Sequence, residues 1–199
     1  MKKIFITLAV EDSLSETVAR KILSQSDNNY FINNCLCRSG AGYLKAKIND
    51  FNKAASTLPF FVLTDQDRGC PPDKIQNWLN HKANPNLIFR IAVMEIESWV
   101  MAHRIAFAKF LSIPLNHIPM NTDTVNDPKK LLISLAKKSK LKYLTQDIIP
   151  KTGSTATIGP NYNACISNFI RNNWNVHEAI NHSESLFRAF KKIQSFDPI

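Results

Sequence analysis

The first half of the chain alternates between apolar runs and segments in which apolar residues recur every three or four positions. The apolar runs are rich in β-branched and aromatic residues and predict four strands, over Lys2–Val10, Tyr30–Cys37, Pro59–Thr64 and Leu87–Met94. The periodic segments predict helices after each strand, over Ser13–Ser26, Tyr43–Ser56, Pro71–His81 and Glu95–Leu111. Strand and helix repeated in this order predict a parallel sheet with right-handed crossovers, a Rossmann-like arrangement.

The pattern changes after Pro114, because no further run is typical of a strand. Three amphipathic helices are predicted there, over Asp127–Lys140, Tyr162–Trp174 and Ser183–Ile193. We therefore expect an α/β core over residues 1–112 and a helical portion over residues 113–199 that packs on the core. No apolar run approaches the roughly 18 residues that span a bilayer, so no membrane segment is expected.

Acidic residues follow three of the four predicted strands. Seven of the ten acidic residues in the first half lie at these places: Glu11, Asp12, Glu16, Asp65, Asp67, Glu95 and Glu97. Ligands of open parallel sheets bind beyond the carboxyl ends of the strands, which meet at one edge. We therefore expect these carboxylates to converge on one site.

Converging carboxylates repel each other unless cations neutralise them, and Mg²⁺ or Mn²⁺ suits oxygen ligands. Two such ions can promote phosphodiester cleavage. Asp65 and Asp67 point the same way in an extended segment, because alternate residues share a side. The predicted metal ligands are Glu11, Asp65, Asp67 and Glu97. Glu16, Glu95 and Glu97 are predicted to hold a second ion or to position water.

Structural roles remain open for several of these acids. Glu95 and Glu97 are also typical of the first turn of a helix, where carboxylates stabilise the helix dipole. Glu16 follows Ser13 by three residues, which is the spacing of a capping box. Nucleotide-binding glycine motifs and a nucleophile with its base are absent from the sequence. The four cysteines lack paired metal-ligand spacing, which disfavours zinc and favours a reducing, cytoplasmic setting.

The net positive charge is concentrated in the second half. The chain has a net charge of +9, with +2 in residues 1–99 and +7 in residues 100–199. Seven lysines and one acid lie between Lys129 and Lys151. They predict either a solvated helix face or a groove that pairs with nucleic-acid phosphates. The candidates for phosphate contact are Lys129, Lys137, Lys138, Lys140, Lys142 and Lys151, and Lys129 or Lys130 is a candidate for stabilising a charged transition state.

These motifs resemble those of TOPRIM domains, in which one strand ends in Val-Glu-Gly and a later strand ends in Asp-x-Asp. The chain has Val10-Glu11-Asp12 and Asp65-Gln66-Asp67, so Asp12 replaces the usual glycine. Members related to OLD-family nucleases carry a second glutamate five positions after the first, as Glu16 is here.

A longer resemblance is to a TOPRIM-like bacterial family catalogued as domain of unknown function 4276. The similar segments are Arg90–Ala102 (RIAVMEIESWVMA), Asp127–Leu132 (DPKKLL), Ile158–Trp174 (IGPNYN…FI…W) and Ser183–Phe190 (SESLFRAF). The family's Glu-x-Glu-Ser-Trp segment usually continues to an aspartate, where this chain has His103.

The resemblance implies a Mg²⁺- or Mn²⁺-dependent nuclease of DNA or RNA. It further implies a role in phage defence beside a separately encoded ATPase of the ABC or SMC type. Two alternatives stay open. One is a non-catalytic nucleic-acid-binding or regulatory subunit, and the other is an enzyme that uses the same metals on small phosphate compounds.

Overall fold

A four-stranded parallel sheet forms the centre of the protein. The computed structural model describes residues 3–37, 40–66 and 71–199. The strands are β1 (Lys3–Val10), β2 (Asn29–Cys37), β3 (Phe60–Asp65) and β4 (Leu87–Ala92). Their order across the sheet is β2-β1-β3-β4, and every pairing is parallel. The predicted α/β class and the parallel sheet are therefore confirmed.

The register of the strands brings three carboxyl ends together. Val10 pairs with Leu63, and Asp65 pairs with Ala92. Because β3 lies between β1 and β4, the residues that follow β1 and β4 flank the end of β3. This is the edge at which the predicted acids were expected to converge.

Ten α-helices occur in the described residues, and most lie close to their predicted positions. They are α1 (Ser13–Ser24), α2 (Ala41–Ala54), α3 (Pro71–Trp78), α4 (Ile96–Ala102), α5 (Arg104–Leu111), α6 (Pro128–Ala136), α7 (Lys142–Ile148), α8 (Tyr162–Asn172), α9 (Val176–Ala179) and α10 (Glu184–Gln194). Helices α7 and α9 were not predicted. Two short 3₁₀ turns, Leu115–His117 and Thr122–Thr124, connect α5 to α6.

Two details of the helix predictions are wrong. The single helix predicted over Glu95–Leu111 is two helices, because the backbone leaves the helical region at His103 (φ −78°, ψ 66°). The residue that caps α1 is Asp12 and not Ser13, since the Asp12 carboxylate accepts a hydrogen bond from the Ser15 amide at 2.8 Å. Asp12 has an extended backbone, which any residue adopts, so the aspartate fits a turn where TOPRIM domains usually have glycine.

The sheet has a hydrophobic cluster on each face. On one face, residues of β3 and β4 such as Val62 and Phe89 pack with α2 and α3. On the other face, residues of β1 such as Ile6 and Leu8 join a larger cluster with α1, α4, α5 and the helices that follow. This larger cluster fixes the start of α6 and of α8 near the carboxyl edge of the sheet.

None of the helices within the described ranges has the length and apolar character that crossing a bilayer requires.

Candidate functional site

Glu11 is tied to the end of the neighbouring strand β3. Its Oε1 atom accepts a hydrogen bond from the Asp65 amide at 2.9 Å and another from the Thr64 hydroxyl. Both donors come from β3, whereas Glu11 directly follows β1. The pairing of these two strands therefore holds the Glu11 carboxylate beside the backbone of Asp65.

The turn between β4 and α4 supplies two further carboxylates. Met94 has a positive φ of 65°, which is uncommon for a residue other than glycine. Glu95 then forms the N-terminal cap position of α4, and Glu97 lies in its first turn. Glu97 is only 1% exposed, so its carboxylate is directed into the protein.

Lys129 connects both of these glutamates. Its backbone amide, in the first turn of α6, donates to Glu95 Oε2 at 2.8 Å. Its ammonium nitrogen lies 3.5 Å from Glu95 Oε1 and 3.6 Å from Glu97 Oε1. Glu95 therefore satisfies an amide at the start of α6 while it pairs with the lysine of the same helix.

Tyr162 donates a further hydrogen bond to the buried glutamate. Its hydroxyl donates to Glu97 Oε1 at 3.0 Å, and the tyrosine is itself only 1% exposed. Burial, followed by the charge of Glu97, raises the pKa of Tyr162, so the phenol stays protonated and remains a donor.

A close backbone contact fixes the segment that precedes Tyr162. The amide of Gly159 donates to the Ile148 carbonyl at 2.9 Å. A Cβ atom added at Gly159 would lie 2.3 Å from the Asp147 carbonyl oxygen and 2.5 Å from the Ile148 carbonyl carbon. Only glycine allows this approach, which links the end of α7 to the start of α8.

The acids at this edge oppose each other's ionisation. Burial, and then the charges of Glu97, Glu11 and Asp12, hold the pKa of Asp65 well above its usual range, although Lys129 acts in the other direction. Burial also raises the pKa of Glu97, against the lowering effect of Lys129. Burial alone would lower the pKa of Lys129, but the charges of Glu97, Glu95 and Asp65 outweigh it and raise that pKa. One lysine thus faces several carboxylates.

Among the described residues, two carboxylate oxygens at this edge are buried without a hydrogen-bond partner: Asp65 Oδ1 and Glu97 Oε2. A buried carboxylate oxygen without a donor is costly, and a cation would satisfy it. These donors are carboxylate oxygens, which are the ligands that a hard divalent ion such as Mg²⁺ prefers. Within the described part of the chain, however, no three His, Cys, Asp or Glu side chains are grouped as ligands of one metal ion. Asp67, the fourth predicted ligand, lies outside the described residues.

Glu16 and Lys130 bond to residues other than these acids. Glu16 pairs with Arg20 at 2.7 Å on the surface of α1. Burial, and then the charge of Glu16, raise the pKa of Cys35 on β2 to about 11. Lys130 has an exposed side chain, and its amide donates to the capping aspartate of α6, Asp127, at 2.9 Å. Lys129, predicted as an alternative to Lys130, is the lysine at the acids.

The other lysines predicted to contact nucleic acid are exposed: Lys137, Lys138, Lys140, Lys142 and Lys151. Lys137 directly follows α6, roughly 12 Å along the helix axis from Lys129 at 1.5 Å per residue. Tyr143 lies among these lysines and is 60% exposed. The segment therefore presents positive charge and one aromatic ring to solvent.

Two residues that contact these acids, Thr64 and Tyr162, are not among the predicted site residues. The position of Thr64 in the sequence could have indicated its place in the site, because it directly precedes Asp65 at the end of a predicted strand. Tyr162 belongs to the IGPNYN segment, but nothing in the sequence indicates that its hydroxyl contacts Glu97, which lies 65 positions earlier.

No family model, curated protein or solved structure matches the chain.

Proposed function

We propose that the protein is a divalent-metal-dependent phosphodiesterase that cleaves nucleic acid. The observation that carries this proposal is the pair of buried carboxylate oxygens, on Asp65 and Glu97, that have no donor among the described residues. They lie at the sheet edge where Glu11 and Lys129 also lie. The proposal assigns Glu11, Asp65, Asp67 and Glu97 as ligands of Mg²⁺ or Mn²⁺. A bound cation would supply positive charge to a phosphodiester and promote attack by water.

The residues around the acids have separate roles in this proposal. Thr64 and the Asp65 amide orient the Glu11 carboxylate, and Tyr162 orients that of Glu97. Lys129 balances part of the negative charge and is placed to stabilise charge that develops on a phosphate. The exposed lysines after α6 would pair with phosphates along the strand.

A separately encoded ATPase partner, a role in phage defence and a cytoplasmic location are part of the same proposal. They rest on the TOPRIM-like motifs and on the cysteine pattern.

A non-catalytic nucleic-acid-binding protein is the second candidate. The observation in its favour is that the carboxylates of the described residues do not form a three-ligand group. This candidate predicts binding that falls steeply with salt and needs no divalent ion. The third possibility, a small-phosphate enzyme, predicts that nucleotides are hydrolysed faster than polymers.

The test is cleavage of plasmid and of single-stranded DNA and RNA in Mg²⁺ or Mn²⁺, with nucleotides assayed in parallel. We expect cleavage by the parent protein and a loss of at least 100-fold in Asp65→Asn and in Glu11→Gln, because each removes a charged ligand. Asp50→Asn is the matched control, since Asp50 is an exposed aspartate that pairs with Lys47 on α2.

If Asp65→Asn and Glu11→Gln cleave as fast as Asp50→Asn, then neither Asp65 nor Glu11 takes part in cleavage. Polymer binding without cleavage of any substrate would favour the non-catalytic candidate.

A further inference from the structure

An arginine interrupts the otherwise apolar strand β4. Arg90 lies in the segment Leu-Ile-Phe-Arg-Ile-Ala, whose other five residues are buried. β4 is the outermost strand on its side of the sheet, and α10 packs against it. The Nε atom of Arg90 is buried and has no hydrogen-bond partner in the described part of the chain. Burial lowers the pKa of Arg90, which reflects the cost of keeping this guanidinium charged.

Arg90 lines a cavity of about 390 Å³ between the start of α3, the end of β4 and the start of α10. The wall is largely apolar and includes Pro71, Ile75 and Val93. The volume is within the range of small-molecule sites, roughly 300–1,000 Å³.

The other charged groups of this cavity already have partners. Asp123 accepts hydrogen bonds from the Ser183 hydroxyl at 2.7 Å and from the Ser185 amide at 2.7 Å, at the positive end of α10. Glu184 pairs with Arg188 at 2.7 Å. Within residues 3–37, 40–66 and 71–199, Arg90 is thus the charged group of this cavity that has no hydrogen bond or ion pair.

We propose that this cavity binds the phosphate group of a nucleotide, with Arg90 as its principal partner and the apolar wall against the sugar or base. A planar guanidinium matches two phosphate oxygens at once. A partly buried guanidinium whose Nε atom has no hydrogen-bond partner in the described part of the chain is retained at a cost to stability, which is typical of a binding residue. The phosphate belongs either to a free nucleotide or to the end of a nucleic-acid strand.

This site needs no divalent ion, so it is tested separately from the proposed cleavage. Isothermal titration calorimetry in EDTA at low salt would measure the binding of AMP, of adenosine and of a 5′-phosphorylated tetranucleotide. We expect adenosine to bind at least tenfold more weakly than AMP. Tetranucleotide binding that is at least tenfold tighter than AMP binding assigns the site to a strand end, and similar affinities assign it to a free nucleotide.

Arg90→Gln is the informative variant, and Arg171→Gln is its charge-matched control on the exposed surface of α8. Arg90→Gln should weaken phosphate-dependent binding at least tenfold, while Arg171→Gln should change it less than twofold. The thermal midpoint of Arg90→Gln should equal or exceed that of the parent, because an unpaired charge is removed. Undetectable binding of both AMP and the tetranucleotide, or equal effects of the two variants, would overturn the proposal. A lowered thermal midpoint in Arg90→Gln would instead give the arginine a structural role and would equally overturn it.

Discussion

Asp65 is a carboxylic acid whose ionisation is opposed both by burial and by neighbouring charges. Its pKa lies well above the usual carboxyl range, first because of burial and then because of Glu97 and Glu11. An acid whose pKa is higher in the folded chain binds its proton more tightly there. The free energy of unfolding therefore falls as pH rises from about 4 through the raised pKa, by about 1.4 kcal/mol for each pH unit that separates the folded pKa from the unfolded one.

Asp65→Asn should remove this fall in stability, because the amide is uncharged at every pH. In EDTA we expect the variant to gain stability over the parent as pH rises from 4 to 8. Urea unfolding at several pH values measures the difference. Asp50→Asn is the control, because its exposed carboxylate has a pKa lowered by Lys47 and offers no such gain. A difference between Asp65→Asn and the parent that does not change with pH would contradict the electrostatic description of Asp65.

Tyr162 matters because its hydroxyl is the hydrogen-bond donor to a buried carboxylate. Tyr162→Phe leaves Glu97 Oε1 without this donor at 3.0 Å, which should cost about 1–3 kcal/mol of stability. Tyr143→Phe is the matched control, since Tyr143 is 60% exposed, and should change stability by less than about 0.5 kcal/mol. Urea unfolding of both variants at neutral pH checks this. Equal stabilities of the two variants would show that the hydrogen bond from Tyr162 to Glu97 makes no net contribution to the free energy of unfolding.

At the scale of elements, the contact between α7 and α8 depends on Gly159. In Gly159→Ala the new methyl group would meet backbone atoms of Asp147 and Ile148, which cannot move independently of α7. We expect a loss of about 2 kcal/mol or more. Gly42 lies in α2, and a methyl group added there would contact no other atom within 4 Å. Gly42→Ala should therefore raise the free energy of unfolding by up to about 1 kcal/mol, because alanine favours the helix over glycine.

Thermal and urea unfolding of the two glycine variants would distinguish a local clash from a general effect of alanine. A Gly159→Ala protein as stable as the parent would mean that α8 can shift without cost.

The sequence predicted the elements of the sheet better than the contacts between distant segments. The strands were recognised because each is an apolar run that ends in polar residues, and parallel pairing then implied that their acids would meet. The break at His103 was missed, because neither glycine nor proline interrupts the apolar periodicity of Glu95–Leu111. The contacts of Lys129 and Tyr162 with Glu97 join residues 32 and 65 positions apart, which local patterns do not specify.

At the scale of the molecule, the net positive charge lies mainly in the second half, because most of the acids lie in the first. If the lysines after α6 contact phosphates, the double variant Lys137→Gln/Lys138→Gln should weaken DNA binding. It should also reduce the slope of log affinity against log salt by about 1.8 for duplex DNA. Fluorescence anisotropy of labelled DNA at several KCl concentrations measures both quantities.

Lys45→Gln/Lys53→Gln removes the same charge from exposed positions of α2, on the opposite face of the sheet. An equal effect of the two double variants would indicate a response to net charge and not to a binding surface.

We propose that the carboxylates at the ends of β1, β3 and β4 bind a divalent cation. Isothermal titration calorimetry of Mn²⁺ into the metal-free protein at pH 8 tests it most directly. We predict saturable binding by the parent and by Asp50→Asn, and binding at least tenfold weaker in Asp65→Asn and in Glu97→Gln. Absence of Mn²⁺ binding by the parent, or equal affinities in all four proteins, would contradict the claim.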